Sequence, residues 1–242
     1  MVHTAQDYST KYKMTTIFSG IDVYELAARL GAPNMHNRSG NVVFFDTFDA
    51  SVLHWEDITG PGGGNISLST DYALFGESSM RLATTGIANN YAEAARYIQM
   101  PSLGKIGVEL STTIEPSLSY IQLECYAYTG THSYRFGWKY LEATNTLQVG
   151  DSTNGWNTID NDFNPPNIDG LFHTIKLVVD LANNVIDYII YSKYKVDCSA
   201  YSCQKTAIGT GPHIIFNLTA KTREADPADC YIDNFIVTQN ET

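Results

Sequence analysis

Phe172-His-Thr-Ile-Lys-Leu-Val-Val-Asp-Leu-Ala-Asn-Asn-Val-Ile-Asp-Tyr-Ile-Ile-Tyr191 holds two apolar runs parted by Asn183-Asn184. Asn tolerates positive φ, so the pair reads as a tight turn and the runs as a β-hairpin. The same signals extend outward. From Asn41 onward the chain alternates with period two in stretches of 5–9 residues, punctuated by Gly, Asn and Pro, with almost no helical period. Strands are expected near 42–48, 65–70, 78–84, 93–100, 105–114, 120–128, 133–140, 145–150, 155–159, 172–180, 184–192, 213–220 and 230–238. So many short strands suit an all-β fold, a two-sheet antiparallel jelly-roll sandwich, better than a small closed barrel.

Composition agrees. Charged residues make up 17% of the 242, and aromatics reach 12% with 16 Tyr, which disfavours a coiled coil or a disordered chain. The net charge of −11 argues against nucleic-acid binding, which needs a basic surface to release counterions. No apolar run has the length of a membrane span, and the start lacks the basic-then-apolar pattern of a signal peptide. Four cysteines are too sparse for a stapled framework. Free thiols are the default, with a loop disulfide between Cys198 and Cys203 left open.

Residues 1–40 differ from 41–242. They carry one more cation than acid, and Ile21–Leu30 reads as a short amphipathic helix stopped by Gly31 and Pro33. Val23, Leu26 and Leu30 share a face, with Tyr24 beside them. Ten residues are too short to be stable alone, so this face is expected to dock on a partner.

The stretch Val43-Phe-Phe-Asp-Thr-Phe-Asp-Ala-Ser-Val-Leu-His-Trp55 resembles the first strand of concanavalin-like lectin/glucanase and carbohydrate-binding jelly rolls. Cys230-Tyr-Ile-Asp-Asn-Phe-Ile-Val-Thr238 resembles their closing strand, which pairs beside the first, and residues 172–191 resemble their central hairpin. A second resemblance, carried by Tyr24-Glu-Leu-Ala-Ala-Arg-Leu-Gly and the Arg38-Ser-Gly turn into Val43-Phe, is to uncharacterised virion proteins of tailed phages. It implies a capsid decoration protein on the virion surface, anchored by its arm to the capsid lattice and assembled as a homo-oligomer such as a trimer.

The carbohydrate resemblance implies sites to test. Glucanases of this group carry Glu-x-Asp-x-(x)-Glu on one strand, because a retaining mechanism needs two nearby carboxyls. Glu109-Leu-Ser-Thr-Thr-Ile-Glu115 has Ser111 where the Asp would stand, so the expectation is of no catalytic set and no enzyme. Glu124 with a loop acid such as Asp160 or Asp162 is a weaker catalytic option. A glycan site would use flat rings beside hydrogen-bonding groups. Gln122, Glu124, Tyr126 and Tyr128 share one face of strand 120–128, Tyr134, Phe136, Trp138 and Tyr140 line one side of the next, and Trp156 follows. Asp46, Asp49 and Asp233 stand where some carbohydrate-binding jelly rolls hold a structural calcium, and no other cofactor is expected.

Three functions follow as expectations: a non-enzymatic structural protein of a virus particle; a carbohydrate-binding module or lectin, soluble in the cytoplasm or outside the cell; or a glycan hydrolase or lyase with an unrecognised site.

Overall fold

A computed structural model describes residues 40–60, 62–100, 103–191, 194–223 and 225–242. The proposed helix 21–30, with Val23, Tyr24, Leu26 and Leu30, and the arm as a separate region lie outside the described residues.

In chain order the strands are β1 (Asn41–Asp46), β2 (Glu56–Asp57), β3 (Asn65–Ser69), β4 (Ser79–Ala83), β5 (Tyr91–Gln99), β6 (Lys105–Thr112), β7 (Leu118–Tyr128) and β8 (His132–Leu141). After a 3-10 turn at Glu142–Thr144 come β9 (Thr146–Gly150), β10 (Trp156–Asp160), β11 (His173–Asp180), β12 (Val185–Tyr191), β13 (Tyr194–Tyr201), β14 (Gln204–Ala207), β15 (His213–Thr222) and β16 (Asp229–Gln239). They form two antiparallel sheets. The first runs β10-β9-β8-β7-β15-β5-β2, with β14 also on β8; the second runs β13-β12-β11-β6-β16-β4-β3, with β1 on β16.

The period-two alternation decides what lies between the sheets. On β7, Ile121, Leu123, Cys125 and Ala127 are fully buried, while Tyr120, Gln122, Glu124, Tyr126 and Tyr128 stay half-buried on the opposite face. From the second sheet, Ile106, Val108, Leu110, Ile175, Leu177 and Val179 enter the same core. The hairpin read at Asn183-Asn184 forms, with β11 against β12 and Asn184 at φ 59°.

The first and last strands pair as the resemblance implies, β1 antiparallel to β16 from Asp46/Phe235 onward. Trp55 is buried edge-on to Phe235, centroids 5.0 Å apart, and its indole N–H donates to Asp46 at 3.1 Å. A long buried indole is thereby satisfied at its one polar atom.

Strands β2, β13 and β14 escape a periodicity search. β13 buries Cys198 and partly buries Val196 and Tyr201, so its inward side is too short and too mixed to stand out as a strand. Cys198 and Cys203 flank the β13–β14 bend as free, buried thiols, as are Cys125 and Cys230. Burial pushes the Cys198 and Cys203 thiols up to about 12, which keeps them protonated and unreactive. No helix among the described residues is long and apolar enough to cross a membrane.

Candidate functional site

Strands β8, β7, β15 and β5 present adjacent outward-facing residues on the side of the first sheet away from the core. Register places Gly137, Glu124, Asn217 and Ala95 in one cross-strand row, and Lys139, Gln122, Thr219 and Glu93 in the next. Small residues therefore floor the middle of the face. At Gly137 an added Cβ would lie 2.1 Å from the Leu123 carbonyl oxygen, so only glycine permits this backbone approach.

Glu124 is the hub. Its Oε1 accepts from the Arg135 guanidinium at 2.8 Å and from Gln122 Nε2 at 3.2 Å, and its Oε2 accepts from the Tyr126 hydroxyl. Burial and the adjoining carboxylate push the Tyr126 phenol up to about 12, so it stays a donor. Arg135 and Glu124 keep only 7% and 14% of their side-chain surface, which makes this a desolvated ion pair.

Trp156 is carried by a turn built for it. Asp151 Oδ1 accepts from the backbone N–H groups of Thr153 and Gly155, both at 2.7 Å, and Asn154 takes the left-handed conformation at φ 72°. These donors hold the Asp151 carboxyl below its ordinary value. The ring then reaches back over β9 and β8, where the Arg135 guanidinium and the Lys139 ammonium each lie 4.9 Å from its centre. Lys139 also sits 4.6 Å from the Tyr120 ring, and Lys221 5.8 Å from the same ring. Three cations and two flat rings thus alternate as Arg135, Trp156, Lys139, Tyr120 and Lys221. Burial, together with Arg135 and Lys221, lowers the Lys139 pKa against the opposing pull of Glu124.

The far end of the face is neutral. Tyr128 stacks on His213 at 4.5 Å and 15°, and Tyr97 lies beyond His213 at 6.5 Å. On the β5 side Glu93 accepts from Thr219 Oγ1 at 2.9 Å, and its carboxyl is raised by burial and by the charge on Glu124.

Sequence reading placed Gln122, Glu124, Tyr126, Tyr128 and Trp156 on this face, and the structure gathers them there. It missed Arg135, Lys139, Lys221 and Glu93. On β8 it weighed Tyr134, Phe136, Trp138 and Tyr140 as face residues, but all four are core, 0–5% exposed, and their odd neighbours point outward. The alternation itself carried the signal, since apolar residues at even positions leave Arg135 and Lys139 for the other side. Asp160 does not join Glu124: it accepts from the Tyr191 hydroxyl across the sandwich and from the Asp162 N–H. Glu109 is buried rather than on a polar surface, and Glu115 lies past the end of β6.

The calcium expectation bears on Asp46, Asp49 and Asp233. Among the described residues no group of three or more His, Cys, Asp or Glu is placed to hold a metal. The three acids serve other donors. Asp46 binds Phe48 N–H and Trp55, Asp49 binds the N–H groups of Glu77 and Ser78, and Asp233 binds those of Leu74, Phe75 and Asn234. A separate cleft of about 510 Å³ is lined by Asp71, Tyr72, Glu115, Asp169, Asp229 and Tyr231. Its sign is opposite to that of the Trp156 row.

No protein-family model matches the chain, and no curated protein matches it. Solved structures do. An endo-β-1,4-glucuronan lyase from the fungus Trichoderma reesei aligns at 13% identity and TM-score 0.54, covering 82% of this chain and 95% of that one. A sialidase aligns at 9% identity and TM-score 0.51, over 85% of this chain and 19% of that one. A β-glucanase from Bacillus licheniformis aligns at 15% identity and TM-score 0.47, over 81% and 98%.

The expectation that the chain is not an enzyme is overturned here. A lyase, which is an enzyme named for a reaction other than glucan hydrolysis, shares this fold, so a missing Glu-x-Asp-x-Glu on one strand gives no ground for ruling out catalysis. The virion resemblance finds no support in these matches, and most of the residues that carried it lie outside the described part. At 13% and 9% identity the likenesses show the fold alone: this chain folds as a two-sheet antiparallel jelly-roll sandwich.

Proposed function

We propose that this protein binds a polysaccharide bearing carboxylate groups along the outer face of the β7 sheet. One observation carries the reading: in a chain of net charge −11, three cations and two aromatic rings alternate on the outer face of one sheet. Flat rings accept the apolar face of a pyranose, and guanidinium and ammonium groups pair with carboxylates. The glucuronan lyase supports a uronate-type chain by its name.

Calorimetry with β-1,4-glucuronan oligosaccharides and neutral β-1,4-glucan oligosaccharides tests this. The charged series should bind and weaken with salt, and Trp156→Ala should lose at least about tenfold in affinity, or about 1.4 kcal/mol. Equal binding of the neutral series, or an unaltered Trp156→Ala, would overturn the reading.

A further inference from the structure

The glycan face holds a second carboxyl that the binding role leaves unused. We propose that Glu93 and Glu124, facing each other across β15, form the acid–base pair of a hydrolysis that cleaves the bound glycan with inversion. The inference rests on the glycan reading above and extends it to a reaction.

Geometry comes first. Glu93 and Glu124 stand on the same face of one sheet, two strands apart and one same-face step out of register. Two strand spacings and one step put their Cα atoms about 12 Å apart. Between them β15 offers Asn217 and Thr219 as its outward-facing residues. Two glutamate side chains reaching over such a floor suit the ~6.5–9.5 Å separation that leaves room for a water. The ~5–5.5 Å of a carboxylate nucleophile would need adjacent carboxyls. The Asn217 Oδ1 is buried in this gap without a hydrogen-bond partner, an acceptor for a sugar hydroxyl or the attacking water.

The two environments differ as an acid and a base require. Glu93 is half-buried, its carboxyl accepts from the Thr219 hydroxyl at 2.9 Å, and burial together with the charge on Glu124 raises it, the direction a proton donor needs. Glu124 accepts from Arg135, Tyr126 and Gln122, the first of them a cation. Three donors leave part of its acceptor capacity open to water. In the reaction, water loses a proton to Glu124 as its oxygen bonds to the anomeric carbon. The bond from that carbon to the glycosidic oxygen breaks with both electrons leaving on oxygen, which takes the Glu93 proton. Proton exchange with solvent resets both groups.

The test incubates the full chain with β-1,4-glucuronan oligosaccharides, following fragments by mass spectrometry and the new anomeric centre by NMR. Expected are saturated fragments of inverted configuration. Glu93→Gln and Glu124→Gln should each slow cleavage at least about 100-fold, and Glu93→Gln should leave calorimetric affinity within a few-fold. Glu93→Gln should regain turnover on a glucuronosyl fluoride, whose leaving group needs no proton; this readout is independent of the Arg135 partner. Binding without cleavage, unsaturated fragments from elimination, or full activity in Glu93→Gln would overturn the pair and leave the glycan reading intact. Absence of binding would overturn both.

Discussion

Carboxylates collect at two places in this molecule and are neutralised by different means. On the outer face of the β7 sheet Glu124 is met by side chains, Arg135, Gln122 and Tyr126. Beside β16 and the neighbouring loops, Asp46, Asp49 and Asp233 are met mainly by backbone N–H groups. Backbone donors fix a loop and cannot leave without unfolding it. Side-chain donors can be shared with a ligand, which is why the first cluster is the one proposed as a site and the second acts as a set of braces.

The sharpest way to break that contrast is to remove the cation. Arg135→Ala strands a nearly buried carboxylate, so the denaturant midpoint should report a loss of about 3 kcal/mol. If the loss is negligible, Glu124 is not charge-paired in the way described.

At the second cluster the expected signature is a pH slope. Burial, with Asp49 nearby, raises the Asp233 carboxyl to about 6, above its unfolded value. The folded state therefore holds the proton longer. This group's contribution is most favourable below about pH 4 and falls as pH rises through 6, by about 3 kcal/mol over two pH units. Asp233→Asn should flatten that part of the stability profile, since it removes the titration and keeps an acceptor.

Smaller effects refine the comparison. Asp49→Ala frees the N–H groups of Glu77 and Ser78 at an exposed position and should cost about 1 kcal/mol in thermal or chemical melts. Arg81→Ala, breaking the 2.7 Å pair with Asp229 beside the acidic cleft, should cost only about 0.5 kcal/mol, because both groups are a third exposed. Glucuronan affinity should be unchanged in both.

Sequence and tertiary structure contributed in separable ways. Period two along residues 41–242 and Asn183-Asn184 as a turn specified antiparallel strands, because alternation is a local property of a strand with one wet and one dry face; the pairing of the first and last strands came from the resemblance. The same alternation placed Glu124 and Tyr126 on one face of their strand. Which strands neighbour each other is not local. Only the fold set β8 beside β7 and β15 between β7 and β5, bringing Arg135, Lys139, Lys221 and Glu93 to one face from three strands far apart in sequence. Packing of one sheet on the other decided that Asp160 serves Tyr191, and the placement of loops decided that Asp49 and Asp233 answer backbone amides far off in sequence, since such partners depend on distances that spacing along the chain does not contain.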